Sequence, residues 1–309
     1  LIEGSNPNPS PHAAPRVAKR RSVVSVNVAK SKDELLASDS REWLADFERD
    51  GYLVVENLVD PTTLKAMRDR LDEITANPRA LPDYLQRYIG YETDYARKRP
   101  QYQDKSDSEI GDAIRILMEL PRFGQVFQDM ILYDPLLDVL QTLFGTPEFH
   151  FHNYKGVFKA PGVSSRFCWH RDLPYLNHTS PNALTAMLCV DEMTPENGAT
   201  VVLPGTHHVP EGYCNMEDQD IPDEKMPQDG PRVTVCCPAG SAVIFHVNIL
   251  HGGGANRSDR NRRNVIGIWV GPDSYPVKME RYAFQGIHPR SQDPAKRKQV
   301  QMSFPHRFG

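Results

Sequence analysis

Apolar residues in this chain are helix-spaced in the first half and alternate with polar ones in the second. Ser31 with Glu34 has the spacing of a capping box, so ordered chain is expected to begin near Lys30. Trp43 and Phe47 then share one face of an amphipathic helix that ends at Gly51. Tyr52-Leu53-Val54-Val55-Glu56 reads as a short strand. Asp60-Pro61 opens a second helix through Leu64, Met67, Leu71 and Ile74. The aspartate caps it, and the proline takes the first helical position, where no N–H is needed. The stretch Asn77–Glu109 is polar and weakly periodic, which predicts a long surface excursion and a candidate lid. Helical segments follow around Phe123–Ile131 and Pro135–Leu143, closed by Gly145-Thr146-Pro147.

From Glu148 onward the texture changes. Phe149 and Phe151 alternate with polar residues, and further strands are predicted at Leu184–Val190, Thr200–Leu203, Val233–Cys237, Ala242–Val247 and Val265–Val270. Asn197-Gly198 and Ala239-Gly240 mark turns. Helices first and short strands afterwards predict a mainly β fold with a helical buttress, a double-stranded β-helix or cupin-like jelly roll. His208–Arg232 is a second polar loop placed to cover a site.

Composition narrows the function. A net charge of -4 leaves no nucleic-acid footprint, and no uncharged apolar run is long enough to span a membrane. The five cysteines form no C-x-x-C pair, so reduced thiols in a cytoplasmic protein are expected. The sequons at Asn177 and Asn256 carry little weight, since such matches arise by chance. Residues 1–28 are rich in Pro, Ser, Asn and basic residues and read as a disordered tail or a non-native remnant.

Candidate chemistry lies in three residues. Phe167-Cys168-Trp169-His170-Arg171-Asp172 carries an H-x-D pair whose side chains would share one face of an extended segment. His251 follows an apolar strand and precedes Gly252-Gly253-Gly254. Two imidazoles and a carboxylate make the facial triad of non-haem Fe(II) oxygenases. Arg262 is a candidate clamp for a cosubstrate carboxylate. An H-x-D alone is close to chance, and a zinc hydrolase or a silent metal-binding jelly roll would use the same ligands.

The wider text resembles the phytanoyl-CoA dioxygenase family, a branch of the Fe(II)/2-oxoglutarate oxygenases that includes ectoine hydroxylase. The resemblance runs through His152-Asn153-Tyr154-Lys155, Trp169 to Leu173, Glu196 to His207, His251 to Asn256 and Arg262-Arg263, and covers roughly Glu42 to Gly271. It implies one dioxygenase domain over residues 29–309, with His170, Asp172 and His251 binding Fe(II) and Arg262 pairing with the distal carboxylate of 2-oxoglutarate. Dioxygen would be the third reactant, and a small molecule the partner of a monomer or homodimer. Arg263 would face away from Arg262. Asn153 falls where ectoine hydroxylase has a glutamine against 2-oxoglutarate. Gly253 falls where many members carry a serine hydroxyl for the distal carboxylate, so Thr185 is the expected substitute donor. Arg115 roughly matches a family lysine near the cosubstrate. Asp172 favours oxygenation, because related halogenases carry a small residue there.

Lys155, Arg171 and Tyr175 are candidate substrate contacts, each with a bland alternative in salt bridging or packing. His150, His152, His207, His208 and His246 are expected to pack or hydrogen-bond structurally. The substrate-facing loops are expected at Gln86–Ser108, Leu173–Asn182 and Val209–Arg232. Their charge mix leans toward a small natural-product or amino-acid-like substrate. Hydroxylation is the expected outcome, with desaturation, cyclisation or epoxidation as alternatives.

Overall fold

The computed structural model describes residues 30–31, 40–210, 212–277 and 282–308. The predicted tail and Glu34 of the predicted capping box lie outside them, while Ser31 is paired with Glu56 in a short strand. Helix α1 (Ser40–Asp50) leads into β2 (Tyr52–Glu56), and α2 spans Pro61–Ala76. Asp60 caps α2 as expected, accepting from the backbone N–H groups of Thr62 and Thr63. Helix α3 (Asp134–Phe144) ends at Gly145 in the left-handed conformation (φ 66°).

Among the described residues, twelve strands build two sheets. The major sheet has the order β1 (Lys30–Ser31), β2, β10 (Ala242–His246), β7 (Ala183–Cys189), β12 (Arg262–Val270), β5 (His150–Lys159), β4 (Ile114–Leu117) and β3 (Ile89–Tyr91). The minor sheet runs β6 (Phe167–His170), β11 (Leu250–Gly253), β8 (Thr200–Leu203) and β9 (Val233–Thr234). Apart from the parallel β1–β2 pair, neighbouring strands are antiparallel. Two such sheets face to face, with helices behind one, make the predicted jelly roll and its buttress.

Side-chain alternation divides the major sheet into two faces. Leu184, Ala186 and Leu188 of β7, with Val265 and Trp269 of β12, pack into one core with Met67 and Leu71 of α2 and Leu137 and Leu140 of α3. The opposite face supplies Met187 and Cys189 of β7 and Val243 and Phe245 of β10, which pack with Val202 of the minor sheet. On β5 the same period sends Tyr154 and Phe158 toward the helices and leaves Asn153, Lys155, Val157 and Lys159 for the space between the sheets.

The Asn77–Glu109 stretch is not the loose excursion that its polarity predicts. It contains β3, which pairs with β4 at the sheet edge, and a helix over Glu92–Lys98. Leu85, Ile89, Tyr91 and Ala96 are buried. These elements are too short to imprint a period on the sequence. The strand predicted at Val233–Cys237 shortens to β9, whereas β4 is only four residues long, too short for its alternation to mark it.

Candidate active site

The two histidines meet across a strand pair. His251 on β11 lies opposite His170 at the end of β6, and their ring centroids are 4.1 Å apart. Asp172 arrives by another route. The residue has already left the strand and caps the short helix Leu173–Leu176 in helical geometry (φ -79°, ψ -30°). Its backbone N–H donates to Val247 O at 2.8 Å, and that of Leu173 to the same carbonyl at 3.1 Å. The expected extended H-x-D is therefore corrected: the chain turns after His170, and the turn before β11 fixes the carboxylate.

Asp172 Oδ1 stands 3.7 Å from His170 Nε2 and 4.0 Å from His251 Nε2. Two ligand bonds of about 2.1 Å to one divalent ion span at most about 4.2 Å, so these separations suit a shared metal. Each ring is oriented from behind. His170 Nδ1 faces Cys168 O at 2.8 Å and His251 Nδ1 faces Ile249 O at 3.1 Å. A carbonyl only accepts, so Nδ1 carries the proton and Nε2 turns its lone pair to the common point.

Thr185 Oγ1 donates to Asp172 Oδ2 at 2.6 Å, leaving Oδ1 toward the histidines. Burial pushes the imidazoles of His170 and His251 below their ordinary value. Burial also works to raise the Asp172 carboxyl, but His251, Lys155, His170 and the Thr185 hydroxyl outweigh it and hold the group below the usual carboxylate range. Neutral imidazoles and an ionised carboxylate are the states that bind a metal.

Arg262 begins β12 and points between the sheets, while Arg263 turns the other way to Asp191 (2.8 Å) and Asp72. The Arg262 guanidinium is buried. It donates to Gly198 O at 2.7 Å and, once the Asn264 amide is turned to satisfy both groups, to that amide's oxygen at 2.9 Å. Its Nε has no partner among the described residues. Burial lowers its pKa to about 10, so it remains a cation at neutral pH. Arg262 and the three candidate ligands line one cavity, together with Thr185, Lys155, Lys159 and Gly253. A wider cavity of about 390 Å³ shares His170, Asp172 and Lys155 and is walled by Asn153, His152, Tyr95 and Tyr175. The Asn153 Oδ1 is buried and unpartnered among the described residues. An anion reaching toward Arg262 would answer its orphaned Nε.

Three residues with expected contacts to cosubstrate or substrate have partners within the protein. Thr185 has a single hydroxyl proton, and Asp172 takes it, so it is not the substitute donor for the cosubstrate. Arg115 is buried against Glu92 (3.0 Å), donates to Arg166 O at 3.0 Å and lies between the rings of Tyr95 (3.5 Å) and Phe167 (3.9 Å). A carboxylate as buried as Glu92 claims its cation, and Arg115 braces the wall of the wider cavity. Arg171 pairs with Asp218 at 3.0 Å and donates to Thr206 O at 2.6 Å and to Asn248 O, so it ties the 215–220 loop to the β11 turn rather than meeting substrate. Tyr175, by contrast, stands at the mouth with its ring 5.8 Å from that of His170 and its hydroxyl on Gln219 O. The structure adds residues to the cavity that sequence reasoning missed: Lys159, Tyr95, Arg99 and Tyr282.

Fold and site together define a jelly-roll protein with a two-histidine, one-carboxylate facial site, the arrangement of mononuclear non-haem iron oxygenases. The chain belongs to the phytanoyl-CoA dioxygenase (PhyH) family, whose pattern matches residues 47–264. It is 27% identical over 184 residues to the "Probable alpha-ketoglutarate-dependent hypophosphite dioxygenase" of Stutzerimonas stutzeri, covering 56% of this chain and 63% of that protein. It is 25% identical over 251 residues to the ectoine dioxygenase of Sphingopyxis alaskensis, covering 74% of this chain and 75% of the relative. Among solved structures, EctD from S. alaskensis superposes with a TM-score of 0.63 at 22% identity, covering 82% of this chain and 85% of EctD. The alpha-ketoglutarate-dependent epimerase SnoN from nogalamycin biosynthesis superposes with a TM-score of 0.59 at 16% identity, covering 80% and 93%. These likenesses share the fold. The protein is an iron- and 2-oxoglutarate-dependent dioxygenase, with dioxygen as the remaining reactant. No helix among the described residues is long and apolar enough to cross a membrane.

Proposed function

We propose that this enzyme hydroxylates an unactivated C–H bond of a small molecule held in the wider cavity, releasing succinate and carbon dioxide. The observation that carries the reading is that His170, Asp172, His251 and Arg262 line one cavity, which shares His170 and Asp172 with a second of about 390 Å³. That volume suits a small-molecule ligand. Bound together, iron, 2-oxoglutarate and dioxygen supply the oxidant for C–H cleavage, and the protein supplies binding and orientation.

His170, Asp172 and His251 hold the metal, and the carbonyls of Cys168 and Ile249 keep both imidazoles in the metal-binding tautomer. Arg262 holds the distal carboxylate of 2-oxoglutarate by a charge-assisted contact in a dry pocket. Asn153, whose amide oxygen has no partner among the described residues, lines the wider cavity. Lys155 lines both cavities and forms no ion pair among the described residues, so it meets an anionic group of the substrate or of the chelating keto acid. Asp172 is the third protein ligand and favours oxygenation over halogenation. The test is succinate release from 2-oxoglutarate by the Fe(II)-loaded protein with a library of small acids, amino acids and natural products. Intact, iron-loaded protein that neither binds 2-oxoglutarate nor releases succinate would sink the reading.

A further inference from the structure

We propose that Lys159 is the second cation of the cosubstrate site, holding the distal carboxylate of 2-oxoglutarate together with Arg262 in the volume left open by Gly253. The inference rests on the reading of Arg262 as that carboxylate's anchor. Lys159 ends β5 directly across the ladder from Arg262, and its side chain is fully buried. Nζ donates to Gly198 O at 2.7 Å, the carbonyl that Arg262 also uses at 2.7 Å, and to Gly254 O. One ammonium N–H is left over, the Nε of Arg262 has no partner among the described residues, and both residues line the same cavity.

Neither cation has a carboxylate partner among the described residues. Glu92, a nearby buried acid, is committed to Arg115. Two desolvated like charges that share one carbonyl repel, and an anion between them would offset that cost. Bracing Gly198 and Gly254 alone needs no charge, since a neutral N–H donor would serve. Burial, reinforced by the Arg262 charge, pushes the Lys159 pKa well below the lysine range, and an arriving carboxylate would favour the charged form. The position is specific. A Cβ built at Gly253 would stand 3.1 Å from Nζ, so the ammonium occupies space that a side chain there would need. The family's serine hydroxyl is thus replaced by a cation from the facing sheet, and not by Thr185.

Calorimetry on the Fe(II)-loaded protein without oxygen would compare 2-oxoglutarate with 2-oxobutyrate, which keeps the chelating end and lacks the distal carboxylate. Lys159→Gln keeps an N–H donor for the two carbonyls and removes the charge. It is expected to weaken 2-oxoglutarate binding by at least about tenfold, about 1.4 kcal/mol, and to leave 2-oxobutyrate binding as it was. Gly253→Ala retains Lys159 but crowds its ammonium, and should give a smaller loss with the same selectivity; it carries the test alone if Lys159→Gln fails to fold. Equal losses for both keto acids, or no loss for either, would overturn the role of Lys159. Wild-type protein that binds neither keto acid would overturn the cosubstrate reading itself.

Discussion

Replacing Thr185 by valine tests how the metal site is held. Valine matches threonine in shape, so the change removes a hydroxyl from a fully buried position on β7 and little else. The lost bond is short, 2.6 Å to Asp172 Oδ2, and its acceptor is charged. A hydrogen bond to a charged group contributes about 1.5–3 kcal/mol. Groups that orient a metal ligand change metal affinity by about 10–100-fold, which is about 1.4–2.7 kcal/mol. The two estimates agree, so Thr185→Val should weaken Fe(II) or Mn(II) binding by one to two orders of magnitude. Thr185→Ser, which keeps the hydroxyl, should retain most of the affinity. Titration against a competing chelator without oxygen measures both. Unchanged affinity in the valine variant, or an equal loss in the serine variant, would refute the claim that the hydroxyl bond aims Asp172 at the metal.

Other outcomes follow from the same contacts. Arg262→Met should raise the Kd for 2-oxoglutarate by at least about thirtyfold, since truncating one side of a buried charge pair costs about 2–5 kcal/mol, with metal affinity unaffected; calorimetry separates the two. Arg115→Met should cost about 3–5 kcal/mol of stability in denaturant unfolding, because it strands Glu92, while 2-oxoglutarate affinity in the surviving folded protein changes little. Acid should weaken the metal-free protein early. Burial lowers His150, His178 and His246 to about 4 and His152 to about 3 from 6.5. The unfolded chain therefore takes up more protons as pH falls below 6.5, and stability present above that value is lost toward pH 4. Denaturant midpoints measured across this window should fall with pH, and a flat profile would contradict the burial assigned to these rings.

Much of this was legible in the residues. The change from helical to alternating spacing near Glu148 announced the jelly roll, because an element's period is a local property. Asp60 and Pro61 marked α2 for the same reason. The family text delivered the metal ligands and Arg262. What it could not deliver were the partners that consume a side chain. Thr185, Arg115 and Arg171 each looked free in the sequence, and each is claimed by a residue distant in the chain: Asp172, Glu92 and Asp218. Lys159 was within reach, since Asn153, Lys155, Val157 and Lys159 follow the period of one strand face. The Asn77–Glu109 segment stayed obscure because helices of four to seven residues bury isolated apolar side chains without repeating them.

The pairing of His170 with His251 has a mechanical side. β6 is an edge strand, with β11 as its sheet neighbour, and the two histidines belong to that ladder. A metal that bridges them is therefore a clasp on the sheet edge, with Asp172 hooking the same clasp to the start of the next helix. Filling the site at a hundredfold excess over its Kd adds about 2.7 kcal/mol against any opening that breaks it. Amide exchange across Phe167–His170 should slow accordingly when metal is added. The outer edge of the minor sheet would then serve as a gauge of occupancy, fastened more firmly once metal is bound.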